Sequence, residues 1–152
     1  MPSVLDLARY DHRGTDVAIF LDMLIAIANW QGCISPVFDV SDRLCLVEIV
    51  SGKAVRRENL LLKYRDPFGR AREIAGIGIE LLICGAVSHV YETALISAGI
   101  RVAGFMCGDL EAVLDAFLQG RLTDSRFFMP GCFWKRQGYR FQHRRGRNFK
   151  RR

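Results

Sequence analysis

Apolar positions fall in short, nearly unbroken runs separated by glycine, proline and charged residues, a rhythm of buried strands alternating with helices. Leu24 to Ala28 is the first run, bounded by the turn-rich stretch Trp30 to Pro36, and reads as strand one. Leu44 to Val50 and Ala54 to Leu62 flank Ser51-Gly52-Lys53; a short glycine-containing connection between two such runs predicts an antiparallel hairpin of strands two and three. After Asp66, residues Phe68 to Ala75 suit a helix, with Pro67 in its first turn and Gly76 and Gly78 at its stop. Ile79 to Cys84 follows as strand four, Ser88 to Ala98 as a second helix, Gly99 as a break, and Ile100 to Met106 as strand five. In Asp109 to Leu118, the residues Leu110, Val113, Leu114, Phe117 and Leu118 recur at helical spacing before Gly120, which predicts a third helix.

A hairpin followed by strand-helix-strand-helix units predicts an α/β fold, because parallel strands need crossover connections. The expected architecture is a three-layer α/β/α arrangement, a mixed five-stranded sheet with helices on both faces. Residues 1–22, with a charged, glycine-containing stretch from Asp11 to Asp16, read as an N-terminal extension. Residues 23–131 form the expected domain and residues 132–152 a tail.

Composition fits that picture: 152 residues, half apolar and a quarter charged, suffice for one ordinary globular core. The net charge of +6 misleads, because nine of the 22 basic residues and none of the 16 acidic ones lie in the tail. Positions 1 to 131 therefore carry a net charge of −3, and only the tail is basic. Its arginine, glycine and aromatic residues come without an aliphatic core, which predicts disorder from about Phe133. The apolar run Val17 to Ala28 is broken by Asp22 and too short to span a bilayer, so no membrane partner is expected. Five widely spaced cysteines with no C-x-x-C pair argue against a disulfide scaffold and place the protein in a reducing cytoplasm.

The order of several short motifs adds a family. Ile34-Ser35-Pro36-Val37-Phe38-Asp39, the hairpin, Leu82-Ile83-Cys84-Gly85-Ala86-Val87-Ser88, Ser97-Ala98-Gly99-Ile100, Phe117-Leu118-Gln119-Gly120-Arg121-Leu122 and Met129-Pro130-Gly131-Cys132 follow one another. Together, over roughly residues 23 to 132, they resemble the dinitrogenase iron-molybdenum cofactor biosynthesis family, which includes nitrogenase accessory factors. The resemblance implies a ribonuclease H-like fold with strand order 3-2-1-4-5 and strand two antiparallel. Since the family pattern starts at the strand placed at Met23, residues 1 to 22 look like an extension or an upstream start. It also implies a carrier: a protein that binds an iron-sulfur or iron-molybdenum-type cofactor, or its precursor, as transient cargo between metallocluster donor and acceptor proteins.

In an open α/β sheet, ligands bind beyond the carboxyl ends of parallel strands where strand order reverses. Cys33, Cys84 and Cys107 sit at or after such strand ends and are expected to converge there. Thiolates and imidazole suit iron, so Cys33, Cys84, Cys107 and His89 form the candidate metal-ligand set. Cys132 joins them if the tail folds back. Cys84-Gly85-Ala86-Val87-Ser88 runs from a strand into a helix N-terminus, where backbone N–H groups and the helix dipole favour an anionic cluster. Ser35 and Phe38 match the first-loop motif that borders the family's cofactor region. Each assignment has a structural counterpart: a buried cysteine acts as a small hydrophobe, as Cys84 and Cys45 suit, Ser88 and Asp109 suit helix caps, and Pro36 and Phe38 suit a loop anchor.

Covalent catalysis is not expected. The chain has no P-loop, no nucleophile elbow and no G-x-G-x-x-G, and Asp22, Asp39, Asp42, Glu48 and Asp109 are too scattered to announce a two-metal carboxylate site. The rival function lies in Cys132 to Arg152, where interleaved aromatic and basic residues have the chemistry to bind RNA or single-stranded DNA. A solvated tail is the plainer alternative.

Overall fold

In the computed structural model, which describes residues 22–122 and 124–130, the apolar runs become the strands of one sheet. The expected N-terminal extension, save Asp22, and the basic tail with Cys132 lie outside the described residues.

Strand β1 (Met23–Trp30) is the central one. Its side chains alternate between two cores, as a strand buried on both faces requires. Ile25 and Ile27 face one core, while the small Ala26 and Ala28 face the other. Past Trp30 the chain turns through Gln31 and Gly32, both at positive φ, and strand β2 (Cys33–Ile34) pairs back onto β1. The predicted sheet had five strands and the observed one has six, because this two-residue primed turn folds the expected loop into a short hairpin.

Strands β3 (Arg43–Val50) and β4 (Lys53–Leu61) form the expected hairpin, closed by Ser51 and Gly52 at positive φ. Helix α1 (Pro67–Ile77) starts at Asp66, whose carboxylate accepts from the Gly69 amide at 2.7 Å, and ends at Gly78. Strand β5 (Leu81–Ile83), helix α2 (His89–Ser97), strand β6 (Arg101–Ala103) and helix α3 (Leu110–Leu118) follow. The Asp109 carboxylate caps α3 through the Glu111 and Ala112 amides.

The main path of the sheet runs β4-β3-β1-β5-β6. β1 and β3, and β3 and β4, are antiparallel, whereas β1, β5 and β6 are parallel. Helices cover both faces. Val113, Leu114 and Phe117 of α3 pack on Ile25, Val47 and Ile83, while Ile74 of α1 and Leu95 of α2 pack on Ala26, Leu46 and Leu82. Burying each such side chain contributes roughly 1.5–3 kcal/mol, which makes the two cores the main support of the fold. No helix among the described residues is long and apolar enough to cross a membrane.

Candidate functional site

Three loops meet beyond the carboxyl ends of β1, β5 and β6, held together by backbone hydrogen bonds. Ser35 donates to the Ala28 carbonyl at 2.8 Å, which turns the first loop over the end of β1. Ala86 donates to Pro36 and Phe38 donates to Ala86, both at 2.8 Å, so the first loop lies beside the second like an extra strand. Phe105 donates to Gly85 at 2.8 Å, and Ile34 to Gly108 at 3.0 Å, which joins the third loop to both. The approach is close enough to need glycine. A Cβ on Gly85 would stand 2.5 Å from the Pro36 carbonyl oxygen and nearer still to that of Ser35.

A buried arginine anchors the first loop. Arg70, on α1, is 1% exposed. It donates to the carbonyls of Phe38 at 2.8 Å, Ser41 at 2.6 Å and Tyr64 at 3.1 Å. Its guanidinium lies 5.2 Å from the Phe38 ring centre and 5.8 Å from that of Tyr91. Burial pulls its pKa below the usual arginine value, and the three carbonyl oxygens supply the acceptors that an enclosed guanidinium requires. Sequence reasoning missed Arg70, because nothing local distinguishes it from its exposed neighbour Arg72.

The N-terminus of α2, expected to receive an anion, already holds one from the chain itself. The Asp39 carboxylate accepts from the Ser88 amide at 3.0 Å. Ser88 occupies the N-cap position but makes no side-chain cap bond, and its buried hydroxyl has no hydrogen-bond partner. Asp39 was read from the sequence only as one scattered carboxylate, although it ends the very motif that carries Ser35 and Phe38.

The candidate donors are spread out. Cys84 is fully buried in the core beneath α1 and α2. Cys33 is exposed and paired with Asp109 at the start of α3. Cys107 is half-buried, its thiol directed to the Phe128 carbonyl at 3.3 Å. His89 is exposed on the first turn of α2, its Nε2 3.4 Å from the Thr93 hydroxyl. Among the described residues, no three His, Cys, Asp or Glu side chains stand close enough to share a metal ion. The expected convergence of Cys33, Cys84, Cys107 and His89 on one ion is therefore not what these residues form. The physical reason is alternation: the step from Ile83 to Cys84 turns the Cys84 thiol into the α1/α2 core, while the Gln31–Gly32 turn carries Cys33 to α3. Ser35 and Phe38 are buried, and Gly85 is the contact point between loops.

On the α3 side, a groove of about 380 Å³ runs between β4 and α3, lined among others by Asn29, Gly32, Cys45, Arg57, Asp109 and Glu111. Arg57 and Glu111 form a two-pronged ion pair there, at 2.5 and 2.6 Å. The hydrogen bonds to Glu111 raise the Arg57 pKa, and the same bonds hold the Glu111 carboxyl below the ordinary carboxylate range. Burial pushes the Cys45 thiol up, so it stays protonated, as its expected core role requires.

No protein-family model matches the chain, and no curated protein does. Solved structures do. The apo form of the orange protein from Desulfovibrio gigas is 21% identical, with a TM-score of 0.55 over 66% of this chain and 91% of that one. A candidate dinitrogenase from Methanocaldococcus jannaschii is 19% identical, with a TM-score of 0.55 over 66% of this chain and 92% of that one. A candidate NifB protein from Thermotoga is 20% identical, with a TM-score of 0.53 over 70% of this chain and 97% of that one. At these identities the likeness is one of fold.

Proposed function

We propose that the chain binds a metal-sulfur cofactor, of iron-sulfur or iron-molybdenum type, or its precursor, and passes it between metallocluster donor and acceptor proteins without covalent catalysis. The observation that carries this reading is the shared fold with proteins named for dinitrogenase and NifB, which span the α/β domain nearly end to end. In this reading the sheet order is that of the ribonuclease H-like fold of the cofactor biosynthesis family, and the motifs from Ile34 to Cys132 are its signature.

The spread of donors favours a cargo resting on the loop surface over one enclosed by four ligands. Cys33 and His89 are exposed there and Cys107 is partly so, which leaves them as the donors that meet a cluster, while Cys84 packs the core. An anionic cargo at the start of α2 displaces the Asp39 carboxylate from the Ser88 amide.

Anaerobic reconstitution of the full chain with iron and sulfide tests the proposal. The expected product carries stoichiometric metal and a sulfur-to-iron charge-transfer absorption that falls in the Cys33→Ser, Cys107→Ser double variant. Absence of bound metal, or an absorption that the double variant leaves unchanged, sinks it.

A further inference from the structure

β4 is the edge of the sheet. Among the described residues it pairs only with β3, so along its other side every second residue turns its backbone N–H and C=O outward. Eight of its nine residues are exposed and Leu60 is half-buried. Val55 and Leu61 are 57% and 58% exposed, and neither glycine nor proline interrupts the strand. A nine-residue edge of this kind is a template for another strand unless its charges oppose pairing.

Here the charges favour one partner, a second copy of the same edge. A two-fold axis perpendicular to the sheet leaves each residue on its own face, so facing residues must be an even number of positions apart. Centred on Arg56 or on Glu58, an antiparallel pairing sets that residue against its own copy and leaves the other without an opposite charge facing it. Centred on Arg57, it sets Arg56 of each copy against Glu58 of the other, giving two cross-strand pairs of opposite charge. The two Arg57 side chains meet at the axis, each already neutralised by its own Glu111 at 2.5 and 2.6 Å. The ladder irregularity opposite Glu48 and Ile49 leaves its extra residue at Val55, outside the Arg56–Glu58 centre.

We infer that the protein dimerises edge to edge through antiparallel β4 strands, with Arg56 of each copy facing Glu58 of the other and one sheet running continuously through both. The inference stands on β4 and the Glu111 that neutralises its Arg57, and does not depend on cofactor carriage.

Sedimentation velocity on the full chain over a wide concentration range tests it. The wild type is expected to show a concentration-dependent dimer. Arg56→Glu and Glu58→Arg each set like charges against one another at two positions, and each is expected to weaken that dimer about tenfold or more. Mixing the two variants one to one is expected to restore it, because positions 56 and 58 are then both acidic in one copy and both basic in the other. A wild type that stays monomeric throughout, a dimer that neither variant weakens, or a mixture that fails to recover it overturns the inference. Recovery in the mixture also excludes misfolding of the single variants as the cause of loss.

Discussion

At the loop end beyond β1 and β5, the amides of Phe38 and Ala86 donate across loops, that of Ser35 donates to the end of β1, and a buried guanidinium collects three more carbonyls. Along β4, by contrast, every side chain but Leu60 is exposed, and the ion pairs that Arg56 and Arg57 make are between exposed groups. Both regions are rich in polar groups, yet only the first depends on them for its shape. Enclosed hydrogen bonds are costly to break because the groups left behind stay dry, whereas exposed ones are replaced by water. The loop surface is thus held by enclosed bonds, and the β4 edge is a surface that a new strand joins at the cost of no enclosed bond, only a re-pairing of the exposed Arg56 and Glu58.

The hardest test of this contrast is Gly85→Ala. Its added methyl runs into two backbone carbonyls with no side chain to move aside, so a loss of about 3 kcal/mol or more in denaturant unfolding is expected. A variant as stable as the wild type shows that the loops are not locked. Arg70→Met keeps most of the volume and removes the guanidinium donor from the carbonyls of Phe38, Ser41 and Tyr64, of which Phe38 keeps the Ser41 amide, and about 2 kcal/mol is the expected loss by the same measurement. An unchanged midpoint means that these carbonyls find other donors.

The smallest effect belongs to the β4 side. Glu111 has a folded pKa held below its unfolded value by Arg57, so its contribution is complete above the unfolded pKa and fades as pH falls through the folded one. Melting curves of wild type and Glu111→Gln should therefore differ slightly at neutral pH and merge in acid, with the difference shrinking in salt. A gap that persists in acid assigns the effect to packing instead of charge.

Much of the fold is legible in the sequence. The strand runs, the Ser51–Gly52 hairpin, the helix starts at Asp66 and Asp109 and the amphipathic face of α3 are signals carried within a few residues of one another. β2 was hidden, since Cys33 and Ile34 are too few to show a period and their pairing depends on Gln31 accepting a positive φ. At the loop end, the loops that follow the strand ends were legible, and the directions of their side chains were not. Cys33, Cys84 and Cys107 do follow strand ends, but which way each thiol points depends on the step at which its strand stops, and a shift of one residue reverses it.

By itself, then, the sequence determined the elements other than β2, the caps at Asp66 and Asp109, the hairpin turn, and the charge order Arg56-Arg57-Glu58 that makes β4 complementary to its own copy, because each depends on neighbours along the chain. Only the tertiary structure decided that Arg70 is buried against carbonyls 29 and 32 positions upstream, that Asp39 occupies the start of α2, and that Cys84 and Cys33 part company. Those outcomes depend on loops closing over one another, and loop closure joins residues whose separation along the chain carries no local signal.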